Sequence, residues 1–83
     1  MRKLLSGVKS GKKVKVVDFI VPPHYGVPQY IIRLQEMGIL KGDIMTIERN
    51  GEFGPVEVEI KGTHLAIGRG IASKIVVEEI DNG

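Results

Sequence analysis

The sequence predicts a mainly β protein: a small, strongly bent antiparallel barrel of five short strands with one short α-helix over about residues 27–37. Three observations predict it. Apolar β-branched residues alternate with charged ones in short runs, most clearly Val56-Glu57-Val58-Glu59-Ile60-Lys61. Glycines and prolines interrupt the chain between those runs. Only one stretch carries apolar residues at three- and four-residue spacing: Val27, Tyr30 or Ile31, Leu34 and Met37.

Residues 1–11 read as a lead-in, with Leu4 and Leu5 able to pack and Ser6-Gly7 and Ser10-Gly11 as turn signals. Lys12 to Val21 is the first strand. Its alternation of Val14 and Val16 with Lys13 and Lys15 breaks at Val17-Asp18-Phe19-Ile20, which predicts a bulge or burial on both faces. Pro22-Pro23-His24-Tyr25-Gly26 is a loop, because adjacent prolines remove two donors from any ladder. Pro28 then stands near the first helical position, where its missing N–H costs little. Gly38 sits where a helix end needs positive φ, and Gly42 permits a second sharp turn.

Asp43 to Arg49 is the second strand. Asn50-Gly51 is a hairpin signal, though Glu52-Phe53-Gly54-Pro55 makes the connection longer than a two-residue turn. In Val56–Lys61, Val56, Val58 and Ile60 point inward. Gly62-Thr63 turns the chain, His64–Ile67 is a fourth strand, and Gly68–Lys74 is a one-turn connector. Ile75–Ile80 closes the set and Asp81-Asn82-Gly83 frays.

At 83 residues the chain is expected to form a single domain, 1–83, with a thin stability margin. It has no cysteine, so no disulfide or thiolate metal site reinforces it. Its apolar runs fall far short of the ~20 residues that span a bilayer. Met1-Arg2-Lys3-Leu4-Leu5 lacks the apolar region of a signal peptide, so a cytoplasmic location is expected. The net charge of +2 is too weak to argue for nucleic acid by itself. Bases gather at the start (Arg2, Lys3, Lys9, Lys12, Lys13, Lys15) and acids at the end (Glu78, Glu79, Asp81). Such segments can be tails for partners. The apolar pattern both carry favours a plainer arrangement, in which first and last strands lie side by side and pair their charges across the ladder.

Nothing in the chain resembles a catalytic constellation. His24 and His64 stand far apart, and no serine or carboxylate is spaced around them as a triad requires. No cofactor is implied. His64 with Glu57 or Glu59 could supply two metal ligands from neighbouring strands, or be a surface histidine beside surface carboxylates. Gly68-Arg69-Gly70 follows a strand as a phosphate cradle does, but its length and lysine placement fit a barrel corner better. Small barrels do bind nucleic acid on aromatic platforms. Here Phe19, Tyr25, Tyr30 and Phe53 make a poor one, so nucleic acid is not the expected partner. Tyr30, Ile31, Leu34 and Met37, with Ile39 and Leu40 after them, exceed what one short helix needs to bury. They are either pure core or core plus a docking surface.

Four motifs in order give the chain a resemblance to the FeoA family: Leu34-x-x-Met37-Gly38-Ile39-x-x-Gly42, Phe53-Gly54-Pro55-Val56, Gly62-x-x-Leu65-Ala66-Ile67 and Ala72-x-x-Ile75-x-Val77. The Pro22-Pro23 loop and Gly68-Arg69-Gly70 depart from the family pattern. The resemblance implies an SH3-like barrel. It implies a non-enzymatic accessory protein that binds the cytosolic, G-domain-containing part of a membrane ferrous iron transporter without entering the membrane. The contact region expected on this chain is Tyr30, Leu34, Met37, Ile39 and Leu40, with Lys13 and Lys15 steering toward an acidic partner. The alternatives are a small basic barrel binding nucleic acid and a stand-alone relative of the SH3-like domain of metal-dependent repressors.

Overall fold

Seven of the nine elements among the described residues fall where the sequence places them, within one or two residues at their ends; the other two, a strand and a 3₁₀ turn, lie inside the lead-in. In this computed structural model, which describes residues 1–23 and 26–80, the order is β1 (Arg2–Leu4), a 3₁₀ turn (Leu5–Gly7), β2 (Lys13–Phe19), α1 (Gln29–Glu36), β3 (Ile44–Arg49), β4 (Val56–Ile60), β5 (Thr63–Ile67), α2 (Arg69–Ala72) and β6 (Ile75–Glu79). His24, Tyr25 and residues 81–83, for which a loop and a frayed end are expected, lie outside the described residues.

Among the described residues the strand count is six rather than five. Arg2–Leu4 pairs antiparallel with β6, Arg2 opposite Glu78 and Leu4 opposite Val76. Three residues are too few to show a period, so only the partner strand reveals this one. The six strands form one antiparallel sheet in the order β1-β6-β2-β3-β4-β5. Inward positions alternate as the pleat requires: Val14 and Val16 on β2, Met45 and Ile47 on β3, Val56, Val58 and Ile60 on β4, Ile75 and Val77 on β6. These side chains, with Leu5, Val8, Phe19, Ile31, Leu34, Ile39, Ile67 and Ala72, make one hydrophobic cluster.

The irregularity expected after Val16 is a bulge. Val16 opposes Val77 and Asp18 opposes Val76, leaving Val17 as the extra residue on β2. That shift keeps Asp18 exposed and buries Phe19. The charges of the two chain ends pair across β6. Arg2 reaches Glu78 at 3.5 Å, Lys3 reaches Glu79 at 2.6 Å and Lys12 reaches Glu79 at 3.9 Å. These pairs are exposed or partly so and add little to stability.

Helix α1 starts later than expected, because Pro28 is its cap (φ −62°, ψ 148°) rather than its first helical residue. The carbonyl of Pro28 accepts from Ile31 N–H at 3.0 Å. The other end is a Schellman closure. Gly38 N–H donates to Gln35 O at 3.0 Å and Ile39 N–H to Leu34 O at 2.9 Å, with Gly38 at φ +88°. Leu34 and Ile39, the pair that this motif brings together, are both fully buried. No helix among the described residues is long and apolar enough to cross a membrane.

Candidate functional site

The turn after α1 divides its apolar residues sharply. Ile39 is 0% exposed, whereas its neighbour Leu40 is 46% exposed. The reversal is held from both sides. Asp43 accepts from Leu40 N–H at 2.7 Å, and Lys61, reaching over from the β4–β5 turn, contacts Asp43 at 3.2 Å and donates to Gly38 O at 3.0 Å. Leu40 is therefore fixed outward by backbone geometry.

Beside it lies a groove of about 610 Å³ between α1 and the end of β2. Its apolar walls are Phe19, Val21, Val27, Pro28, Ile31 and Leu40. Gln35 lies on its helical side, and Asp18 and Lys41 stand at its rim, joined by a 3.1 Å ion pair. The Phe19 N–H at 2.8 Å, seconded by Lys41, holds the Asp18 carboxyl below its usual range, so the rim carries one fixed charge of each sign. Val21, Val27 and Leu40 are substantially exposed around this hollow. The surface is continuous and apolar, with charge only at its edge.

The residues expected to make contact separate into three groups. Leu34 and Ile39 belong to the core and present no surface, because the Schellman closure turns both inward. Leu40 lines the groove. Tyr30, Met37, Lys13 and Lys15 do not line it, but all four have surface. Tyr30 is half-buried, its hydroxyl donating to Ile20 O and its ring lying 5.2 Å beneath the Lys74 ammonium. Burial foremost, and Asp18 next, push the Tyr30 phenol above its usual pKa, so it remains a neutral donor. Lys13 and Lys15 project from the outer side of β2, alternating with the buried Val14 and Val16.

Val21 and Pro28 are groove residues that the helical stripe does not pick out. A signal was present: Ile20 and Val21 flank a double proline, so they are apolar residues that no ladder continues to bury.

A second constellation is polar. Asn50 donates through Nδ2 to the carbonyls of Ser6 (3.0 Å) and Val8 (2.6 Å). Arg69 donates to Asn50 Oδ1 (2.7 Å), Gly51 O (2.6 Å) and Gly54 O (3.2 Å). Asn50 and Gly51 thus form no tight two-residue turn; the side chains of Asn50 and Arg69 tie the β3–β4 loop to the lead-in and to α2. The guanidinium is engaged with carbonyl oxygens, which makes Gly68-Arg69-Gly70 a barrel corner and not a phosphate cradle.

His64 stands opposite Glu59 in the ladder but bonds neither Glu57 nor Glu59. Its Nδ1 lies 2.8 Å from Glu48, while Glu57 faces Arg49 at 4.0 Å and Glu59 accepts from Gly62 N–H at 3.3 Å. Among the described residues no three His, Cys, Asp or Glu side chains are grouped to hold a metal.

A family profile described as the FeoA domain matches residues 3–79. A Methanocaldococcus jannaschii protein described as "Putative Fe(2+) transport protein A" is 47% identical over 51 residues, which cover 61% of this chain and 61% of that protein. The crystal structure of an iron uptake regulatory protein (FeoA) superposes with a TM-score of 0.82 at 25% identity, covering 96% of this chain and 99% of the other. A manganese-dependent transcriptional repressor superposes with a TM-score of 0.81 at 20% identity, covering 95% of this chain but 42% of the repressor. That last likeness concerns the fold alone.

Proposed function

The chain belongs to the FeoA domain family, and on that premise we propose that it is a non-enzymatic cytoplasmic accessory of ferrous iron transport. It docks on the cytosolic, G-domain-containing part of a membrane ferrous iron transporter and modulates it. The observation that carries this reading is the apolar groove beside α1, with Leu40 held outward at its edge. Its apolar walls contain no converging acid–base pair, which suits recognition of a protein segment better than turnover of a substrate.

The contact surface is Leu40 with Tyr30 and Met37, while Leu34 and Ile39 support it from within. Lys13 and Lys15 face outward on β2 and stand in none of the ion pairs among the described residues. They raise the encounter rate with an acidic partner in a salt-dependent way.

The test is calorimetric titration of the protein into the purified cytosolic domain of its own organism's transporter. Saturable binding that Leu40→Asp weakens at least about tenfold supports the reading. Absence of binding, or binding that Leu40→Asp leaves unchanged, overturns it.

A further inference from the structure

Asn50-Gly51 forms no tight turn, yet the pair keeps a chemistry of its own. Asparagine before glycine is prone to deamidation, because a residue without a side chain lets its amide nitrogen approach the asparagine carboxamide. The reaction balances with water alone. The Gly51 amide gives its proton to solvent base, and its nitrogen attacks Asn50 Cγ. The new N–Cγ bond closes a succinimide, the Cγ–Nδ2 bond breaks, and Nδ2 leaves as ammonia with a proton taken from water. A water molecule then opens the ring. Attack at Cγ leaves an aspartate, and attack at the main-chain carbonyl leaves an isoaspartate, whose main chain is longer by a methylene.

The fold pins both ends of that carboxamide. Nδ2 donates to Ser6 O at 3.0 Å and to Val8 O at 2.6 Å, and Oδ1 accepts from Arg69 at 2.7 Å, all three bonds part-buried. The main chain on either side is tied as well. Asn50 N–H donates to Ser10 Oγ at 2.8 Å, and Gly51 O accepts from Arg69 at 2.6 Å. Attack turns the planar Cγ tetrahedral, which carries Nδ2 and Oδ1 away from the positions these partners fix. The bonds must therefore break before the ring can close, and the β3–β4 loop must open.

The product cannot resume the same contacts. A carboxylate at position 50 has no hydrogen to give Ser6 O and Val8 O, and sets oxygen against oxygen where Nδ2 now donates. Arg69 keeps an acceptor, so the tie to α2 survives while the tie to the lead-in is lost. That lead-in supplies Leu5 and Val8 to the core and β1 to the sheet. We propose that Asn50-Gly51 is a spontaneous deamidation site, gated by opening of the β3–β4 loop, whose product permanently unfastens the lead-in from that loop. The damage accumulates with the time the loop spends open. No residue lining the groove beside α1 takes part, so the inference is independent of the transporter reading.

The test incubates the full chain and a synthetic peptide of residues 48–53 in the same mildly alkaline buffer. Peptide mapping by mass spectrometry follows conversion at position 50, separately from that at Asn82-Gly83. The folded chain reacts at least about tenfold more slowly than the peptide. Arg69→Ala speeds the chain's reaction about fivefold or more. If its melting curve shows loss of fold, Ser10→Ala takes its place, with an increase of about threefold. Gly38→Ala strains the far end of α1 but leaves the loop's ties intact, and keeps the wild-type rate. In Asn50→Asp, the amides of Val8 and of β1 exchange with deuterium about fivefold faster or more. A folded chain that reacts at the peptide's rate, a loop variant no faster than the wild type, or a Gly38→Ala that speeds as the loop variant does overturns the proposal. So does an Asn50→Asp that exchanges as the wild type does.

Discussion

Substituting the adjacent residues Ile39 and Leu40 separates what holds the fold from what the fold displays. Ile39 is 0% exposed, follows the Schellman closure and packs in the main cluster with Leu34. Truncation to alanine removes buried methylene and methyl groups and leaves a cavity that a rigid turn cannot collapse into, a loss of roughly 2–5 kcal/mol. A small domain has about 5 kcal/mol in all, so Ile39→Ala brings it near its threshold. With each kcal/mol worth about 4–8 °C in a domain this size, the midpoint falls by at least about 8 °C. Leu40, 46% exposed and held outward by the Asp43 and Lys61 contacts, gives up little packing: Leu40→Asp costs at most about 1 kcal/mol. The assay is urea unfolding followed by far-ultraviolet circular dichroism, with equal m-values confirming an unchanged denatured state. If Leu40→Asp unfolds the protein, or Ile39→Ala costs less than about 0.5 kcal/mol, the division of the turn into core and display is wrong.

Three further outcomes follow from the same geometry. Gly38→Ala should cost about 1–2 kcal/mol through backbone strain alone, since φ is +88° yet open space surrounds the added methyl; Gly7→Ala, in equally open space without positive φ, should be neutral or stabilise by up to about 1 kcal/mol, both read from urea midpoints. Arg69→Ala removes the donor of the part-buried Asn50 Oδ1 and leaves the exposed carbonyls of Gly51 and Gly54 to water, and should cost roughly 1–2 kcal/mol in thermal or urea unfolding; Arg69→Lys should restore little, because one ammonium cannot reproduce the fork. Stability should depend on pH at two windows. The Glu48 carboxylate raises the His64 pKa above its usual 6.5, so that contribution is complete below 6.5 and disappears as pH rises through the folded value; His64→Gln removes it. Asp18, bonded to Phe19 N–H and Lys41, and Glu79, bonded to Lys3, are held below their usual 3.8 and 4.5; their contributions are present above those values and lost as pH falls through the folded ones. Asp18 and His64 are exposed and Glu79 is partly so, so these effects are small and shrink with salt.

Much of this was legible in the sequence because it is written in short periods. Alternation on β4 fixes its inward face, and Leu34-x-x-Met37-Gly38-Ile39 spells out a helix stop with its hydrophobic pair. Opposite charges at the two ends of the chain forecast that those ends lie side by side, and the ladders of β6 with β1 and β2 bear this out. What escaped depends on contacts distant in sequence. Arg2–Leu4 is too short to show alternation and becomes a strand only because β6 lies beside it. Asn50 reads locally as a hairpin residue, yet its partners are Ser6, Val8, Ser10 and Arg69. Six apolar residues around α1 were legible as a surplus, but which would be covered turned on Gly38. Its left-handed conformation sends Ile39 inward and Leu40 out. The groove itself needs β2 and α1 side by side, and no local pattern records that.

The proposed role requires one face of the molecule to receive the transporter. Methyl resonances of isotope-labelled protein, followed as the unlabelled cytosolic domain of the transporter is added, test this most directly. The expected result is saturable shifts at Val21, Val27, Ile31 and Leu40, while the methyls of Val56, Val58 and Ile60 stay still in the core. Shifts confined to the opposite end of β2, or no shifts at a saturating excess of the domain, would contradict it.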